Sequence, residues 1–126
     1  MNLTANFKLS EFDCHDCTLV PPELMANVQE LANNLQVLRD EIGKPINIIS
    51  GYRTPAWNAA HGGAVESQHM LAKAGDLQVK GMTPVQLCSK IKALIAAGKM
   101  EQGGVGLYPS FVHYDVRGTA ARWGGA

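Results

Sequence analysis

Two runs decide how this chain is read: Ser50-Gly51-Tyr52-Arg53-Thr54-Pro55, and Ser67-Gln68-His69-Met70-Leu71-Ala72-Lys73-Ala74-Gly75-Asp76. Pro45-Ile46-Asn47-Ile48-Ile49-Ser50 leads into them; it is β-branched, bounded by a proline and a glycine, and predicts a strand. Ala74-Gly75-Asp76-Leu77-Gln78-Val79 leads out as a second strand, broken by Gly81. Between the strands, Gly51 permits a turn, and Thr54 can cap a short helix that has Pro55 at its first position. His61-Gly62-Gly63-Ala64 ends that helix, so His61 is read as a helix-end residue. Val65 to Ala72 is a polar loop expected to lie over whatever site these residues build.

Working outward toward the N-terminus, Val20-Pro21-Pro22-Glu23 is a helix start, because proline is tolerated where the backbone N–H has no partner. Leu24, Val28, Leu31, Leu35, Leu38 and Ile42 then recur at spacings of three and four, one stripe of a helix over 22–42. Gly43 and Pro45 stop it. Phe7, Leu9 and Phe12 are apolar anchors around a short turn for which Ser10 is the candidate cap. Toward the C-terminus, Thr83-Pro84 opens a helix whose stripe Leu87, Ile91, Leu94, Ile95 runs to Ala97, with Cys88 near its buried side. Gly103 to Tyr108 is a glycine-rich strand, where glycine indicates close approach of another backbone or a tight bend. Phe111 to Val116 is a further strand, forming a hairpin with it. Gly118 to Ala126 is expected to be irregular, with Trp123 folded back as an anchor.

The 126 residues fit one domain, 1–126, of globular composition, 46% hydrophobic and 17% charged. Lys+Arg and Asp+Glu are equal at 11 each, which removes any electrostatic argument for a nucleic acid or an anionic membrane as partner. No apolar run approaches the ~20 residues of a membrane span. Met1 to Asn6 has neither the basic nor the apolar region of a signal peptide. Synthesis in the cytoplasm is therefore expected, with release by other means if the protein acts on a cell wall. A monomer is expected. Cys14, Cys17 and Cys88 are too few and too odd for a disulfide framework. Cys14-His15-Asp16-Cys17 has the spacing of a zinc half-site but no second half, and is read as ordinary thiols near a turn.

Two imidazoles and a carboxylate on separate pieces of chain, His69, Asp76 and His113, make a candidate site for a catalytic metal, which takes three protein ligands and keeps one position open. His69 and Asp76 would span roughly 23–25 Å if extended, so the loop must curl back. His113 and Asp115 leave a strand on the same face. Asp115 is then either a general base in the cleft or the carboxylate that orients His113. Arg53, with fixed charge and five donors, suits a carbonyl oxygen, an oxyanion or a substrate carboxylate. Each residue alone also has a plainer explanation: a satisfied core histidine, a turn aspartate, a surface ion pair.

Together the motifs resemble the zinc D-Ala-D-Ala peptidases. Ser50 to Asn58 resembles their SGYRSP-type segment, Ser67 to Asp76 their SxHxxGxAxD motif, and Gly106 to Asp115 the late histidine strand of one branch, the phage endolysin-like one. The resemblance extends to Phe7–Phe12 and the long helix. It implies an α+β fold with a small antiparallel sheet around a zinc, as in D-Ala-D-Ala carboxypeptidases, peptidoglycan-cutting endolysins and the hedgehog signalling domain. It implies His69, Asp76 and His113 as zinc ligands, Arg53 as the substrate-polarising arginine, Ser67 and Gln68 at the substrate, and a peptide of peptidoglycan as that substrate. Two positions depart from the pattern. Ala72 replaces a glycine, which is harmless unless the loop needs positive φ. Phe111 occupies the place of an extra histidine, which leaves Asp115 as the expected base and Glu66 as its substitute. Two competing functions follow: a zinc-binding structural or binding module without catalysis, for example in a phage particle, or a redox protein using Cys14 and Cys17.

Overall fold

A computed structural model describes all of residues 1–126. Three helices, α1 (Met25–Ile42), α2 (Pro55–Ala60) and α3 (Pro84–Ala96), accompany five strands: β1 (Asn47–Ser50), β2 (Ala74–Gln78), β3 (Gly104–Leu107), β4 (Val112–Asp115) and β5 (Ala121–Trp123). The strands form one sheet in the order β1-β2-β4-β3-β5. The first four are antiparallel, and β5 lies parallel to β3. The fold is thus α+β as expected, with a mixed rather than purely antiparallel sheet. The strand β5 lies in the tail expected to be irregular; its pairing follows from where β3 runs, which the tail's own small polar residues do not encode. No helix is long and apolar enough to cross a membrane.

Local chemistry explains the helices. A single turn of 3-10 helix, Pro22–Leu24, precedes α1, and Gly43 closes α1 in the left-handed conformation at φ 65°. Thr54 caps α2 by accepting from the Trp57 N–H, and Thr83 caps α3 in a reciprocal pair with Gln86. Leu9–Phe12 forms a 3-10 turn, but Ser10 lies inside it and does not cap it. Lys8 precedes the turn, and its N–H donates to the Glu11 carboxylate instead.

The sheet divides the molecule by pleat alternation. Gly75, Leu77, Val112, Tyr114 and Val105 face the apolar core, where Val28, Leu31, Leu35 and Leu38 of α1 and Leu87 and Ile91 of α3 are buried. Each such aliphatic side chain contributes about 1.5–3 kcal/mol by leaving water. Asp76, His113 and Asp115 occupy the alternate positions, on the opposite face. That face is also buried, but its side chains are charged or titratable, and they need partners.

Candidate metal centre

The β2–β4 register sets Asp76 directly across from His113. His69 arrives from the 3-10 turn Gln68–Leu71, which closes immediately before β2. Three contacts fix it. The Ser67 hydroxyl caps the turn by accepting from the His69 N–H (3.2 Å), the Arg53 N–H donates to the His69 carbonyl (3.0 Å), and His69 Nδ1 donates to the Gly51 carbonyl (2.7 Å). Gly51 in turn lies against the Phe12 backbone so closely that a Cβ would collide with it. Ala72 ends the turn at φ 55°. The loop therefore does need a left-handed residue at the position where the resemblance has glycine, and alanine holds it under strain.

The ligand atoms of His69, Asp76 and His113 all lie within 4.8 Å of one another, and all three residues are buried. Asp76 Oδ1 faces His69 Nε2 at 3.2 Å and His113 Nδ1 at 3.2 Å, while Oδ2 faces Arg53 Nη2 at 3.4 Å. The far nitrogens are committed elsewhere. His69 Nδ1 faces a carbonyl, which only accepts, and His113 Nε2 faces the Asp115 carboxylate at 2.7 Å. Both outer nitrogens therefore carry the proton, and in the neutral rings both inner nitrogens present lone pairs to the same carboxylate. Without a cation the arrangement is satisfied only by two adjacent imidazoliums with ring centroids 5.1 Å apart. A metal ion accepts both lone pairs and the carboxylate at once. The donor set fits a metal, and the two outer partners are of the kind that orient metal-binding histidines.

Burial alone would raise the Asp76 carboxyl, but the hydrogen bonds from His113 and His69 outweigh it and hold it well below the usual carboxylate range. Burial opposes charge on His113, yet its bonds to Asp115 and Asp76 raise its pKa above the ordinary value. Asp115 is also buried and also held low, by His113 and by Arg117. Arg117 grips it through Nε (2.9 Å) and Nη2 (2.7 Å), and the backbone N–H groups of Gly104 and Arg117 add two more bonds. Asp115 does share the His113 side of the strand. It does not point into the cleft: its side chain has no exposed surface and lies sealed beneath Arg117.

A cleft of about 450 Å³ opens over the three ligand residues. One wall is the loop from His61 through Gln68; the other carries Tyr108, Phe111, Arg117 and Trp123. Arg53, Ser67 and Gln68, expected at the substrate, and Glu66, the expected substitute base, all line it, although the Ser67 hydroxyl is engaged in capping the turn. His61 lines the cleft too, stacked on Trp57 at 3.8 Å, with Nδ1 bonded to the Trp57 carbonyl. The helix-end reading missed that exposure. Tyr108, Arg117 and Trp123 were also missed; Trp123 reaches this face only through the parallel pairing of β5, while Tyr108 and Arg117 stand just past the ends of β3 and β4. The Trp123 indole N–H donates to the Tyr108 hydroxyl at 2.9 Å. Gly106 has no Cβ where Trp123 lies, and Gly104 none where Asp115 and Arg117 lie. A larger hollow of about 550 Å³ follows Pro45–Asn47 and Leu77–Lys80, but it gathers no cluster of titratable groups. Cys14 and Cys17 stand apart from the cleft, both as free thiols.

Comparison with curated proteins finds no match. A family model described as Peptidase M15 matches residues 5–115, which takes in His69, Asp76 and His113 as well as Arg53 and Asp115. With a metal-competent His/Asp/His group inside the matched span, the chain belongs to the Peptidase M15 family and is a metallopeptidase.

Proposed function

We propose that the chain is a zinc-dependent peptidase that hydrolyses peptide bonds in the stem peptides or cross-links of peptidoglycan, acting on the cell wall once it is outside the cytoplasm. The observation that carries this reading is the convergence of two histidine lone pairs and one carboxylate, with both outer nitrogens already tied. Two nitrogens and one oxygen suit zinc, which in catalytic sites keeps a further position free. Zinc held there supplies Lewis acidity toward a carbonyl oxygen and toward water.

The chain's own residues divide the remaining work. Arg53 is held by Ser50 and Asp76 through Nε and Nη2, and its Nη1 remains free to donate to the oxyanion of the scissile carbonyl. Asp115 positions His113 rather than taking a proton from water, because it is buried and capped. Glu66 is the one carboxylate on the cleft lining other than Asp76, and it is our choice for the proton acceptor. The burial of Asp115, the carboxylate expected to be the base, is also what favours the second reading, a zinc-binding module without hydrolysis.

Metal analysis paired with digestion of purified peptidoglycan separates the two. We expect about one zinc per chain, as three protein ligands imply, and soluble peptide fragments identifiable by mass. His113→Ala should lose both. A zinc-loaded chain that leaves peptidoglycan intact overturns the peptidase reading and leaves the binding module.

A further inference from the structure

The two arginines at the metal centre are built alike. Arg53 follows β1 and Arg117 follows β4, and both strands run antiparallel to β2, so both arginines emerge at the end of the sheet where β2 begins. Each commits Nε and Nη2 to the protein: Arg53 to Ser50 and Asp76, Arg117 to Asp115. Each leaves Nη1 without a partner in the chain. Both remain partly open to solvent, with side chains 21% and 29% exposed.

Arg117 differs from Arg53 in lining two hollows rather than one. A second hollow of about 490 Å³ adjoins the metal cleft, and Glu66, Gln68 and Arg117 line both. Val65, Met70 and Leu71 border the second hollow alone. Val65 is 91% exposed and Leu71 43% exposed, so this hollow offers apolar surface with a guanidinium at its junction with the metal cleft. The fork onto Asp115 locks the plane of that guanidinium, and the Trp123 ring lies 5.6 Å from Cζ. A donor held this way loses little freedom when it binds, which favours a planar, charged acceptor.

We propose that Arg117 Nη1 is a carboxylate-binding donor that selects substrate. It would take the peptide residue lodged in the second hollow when that residue bears a carboxylate next to the scissile bond. The carboxylate is either the free C-terminus of the peptide or a side-chain acid. The inference rests on the peptidase reading for its substrate class, but it concerns binding, which is scored separately from cleavage.

The test uses the zinc-loaded full chain and two pairs of short acetylated peptides. The first pair ends in D-Ala-D-Ala as free acid or as carboxamide. The second, amidated at its end, carries glutamate or glutamine beside the D-Ala bond. Affinities are read by calorimetry, and cleavage in parallel by mass. A charged hydrogen bond of this kind predicts a preference of about ten- to a hundredfold for the acid member of at least one pair. The pair that shows it identifies the source of the carboxylate. Arg117→Met should bring that pair to within about twofold of each other, and Arg117→Lys should restore part of the preference. Metal content is measured for each variant, because Arg117 also holds Asp115. Equal affinities for both pairs in the unsubstituted chain overturn the proposal, whatever the variants do. So does a preference that survives Arg117→Met, which would assign it to Arg53 or to the metal. Preference without cleavage would sink the peptidase reading alone, and cleavage without preference would sink this inference alone.

Discussion

At the scale of single residues, His69, Asp76 and His113 were legible as a candidate trio, but each alone had a plainer explanation, and it was the family resemblance that singled them out; the structure brings their side chains together. Asp115 was legible only as to its side of the strand. Two-residue spacing fixes which face a side chain leaves by, but not whether an arginine two positions further on folds back over it. The position of Arg117 makes Asp115 an orienting group, and that has a measurable consequence. Asp115→Asn keeps the shape and removes the charge that accepts from His113 Nε2 and from Arg117. Metal affinity should fall about 10–100-fold, as read by competition with a chromogenic chelator. At saturating metal, most of the activity on a peptide substrate should return. Unchanged affinity together with activity lost by orders of magnitude would instead make Asp115 the base.

At the scale of elements, both long helices, the short α2 and the first four strands could be read from periodicity, caps and glycine or proline stops. Two features could not. The glycine run from Gly103 announced the close approach of another backbone, and at Gly103 that is the Asp115 backbone; at Gly104 and Gly106 what approaches is side chains, Asp115 with Arg117 and Trp123, which come from elsewhere in the chain. The strain at Ala72 was legible only as a condition, since the departure from glycine shows in the sequence but the left-handed φ of 55° is a property of the turn. That turn carries His69, and the Ala72 N–H bonds back to the His69 carbonyl at 3.2 Å. Left-handed φ costs an L-residue about 1–2 kcal/mol, and more with a β-branched side chain. Ala72→Val should therefore destabilise by about 2 kcal/mol or more. Ala72→Gly relieves the strain but gives up about 0.8 kcal/mol of methyl burial and some chain entropy, and should stay within about 1 kcal/mol of the parent. Denaturant midpoints of the metal-free chains check both.

At the scale of the whole molecule, the α+β class and the family resemblance were legible in the sequence, but not the make-up of the cleft, which is lined by residues of the 61–68 loop and by Trp123 of the C-terminal strand. Metal binding should be felt throughout. At a free concentration 100 times the dissociation constant, the gain is about 2.7 kcal/mol, or roughly 10 °C in Tm for a chain of this size. The gain should grow as pH rises from 5.5 to 8. His113, with its raised pKa, stabilises the metal-free fold below about pH 6.5 and ceases to do so as pH rises through its folded value. Loss of the His113 proton also removes its competition with the metal. Asp115 acts at the other extreme: held low, its contribution is present above about pH 4 and lost as pH falls through its folded value. Calorimetric scans with and without metal check the trend, and a gain that shrinks between pH 5.5 and 8 would contradict it. The ligand spacing also bears on time. His69 and Asp76 are neighbours along the chain, but His113 is 37 residues beyond Asp76, with α3 between them, and reaches the site only when β2 and β4 pair. Closing that loop is part of the barrier that folding must cross. The ion therefore finds its full set of ligands after the crossing, so metal should slow unfolding and leave the refolding rate where it was: one arm of the chevron drops and the other stays still.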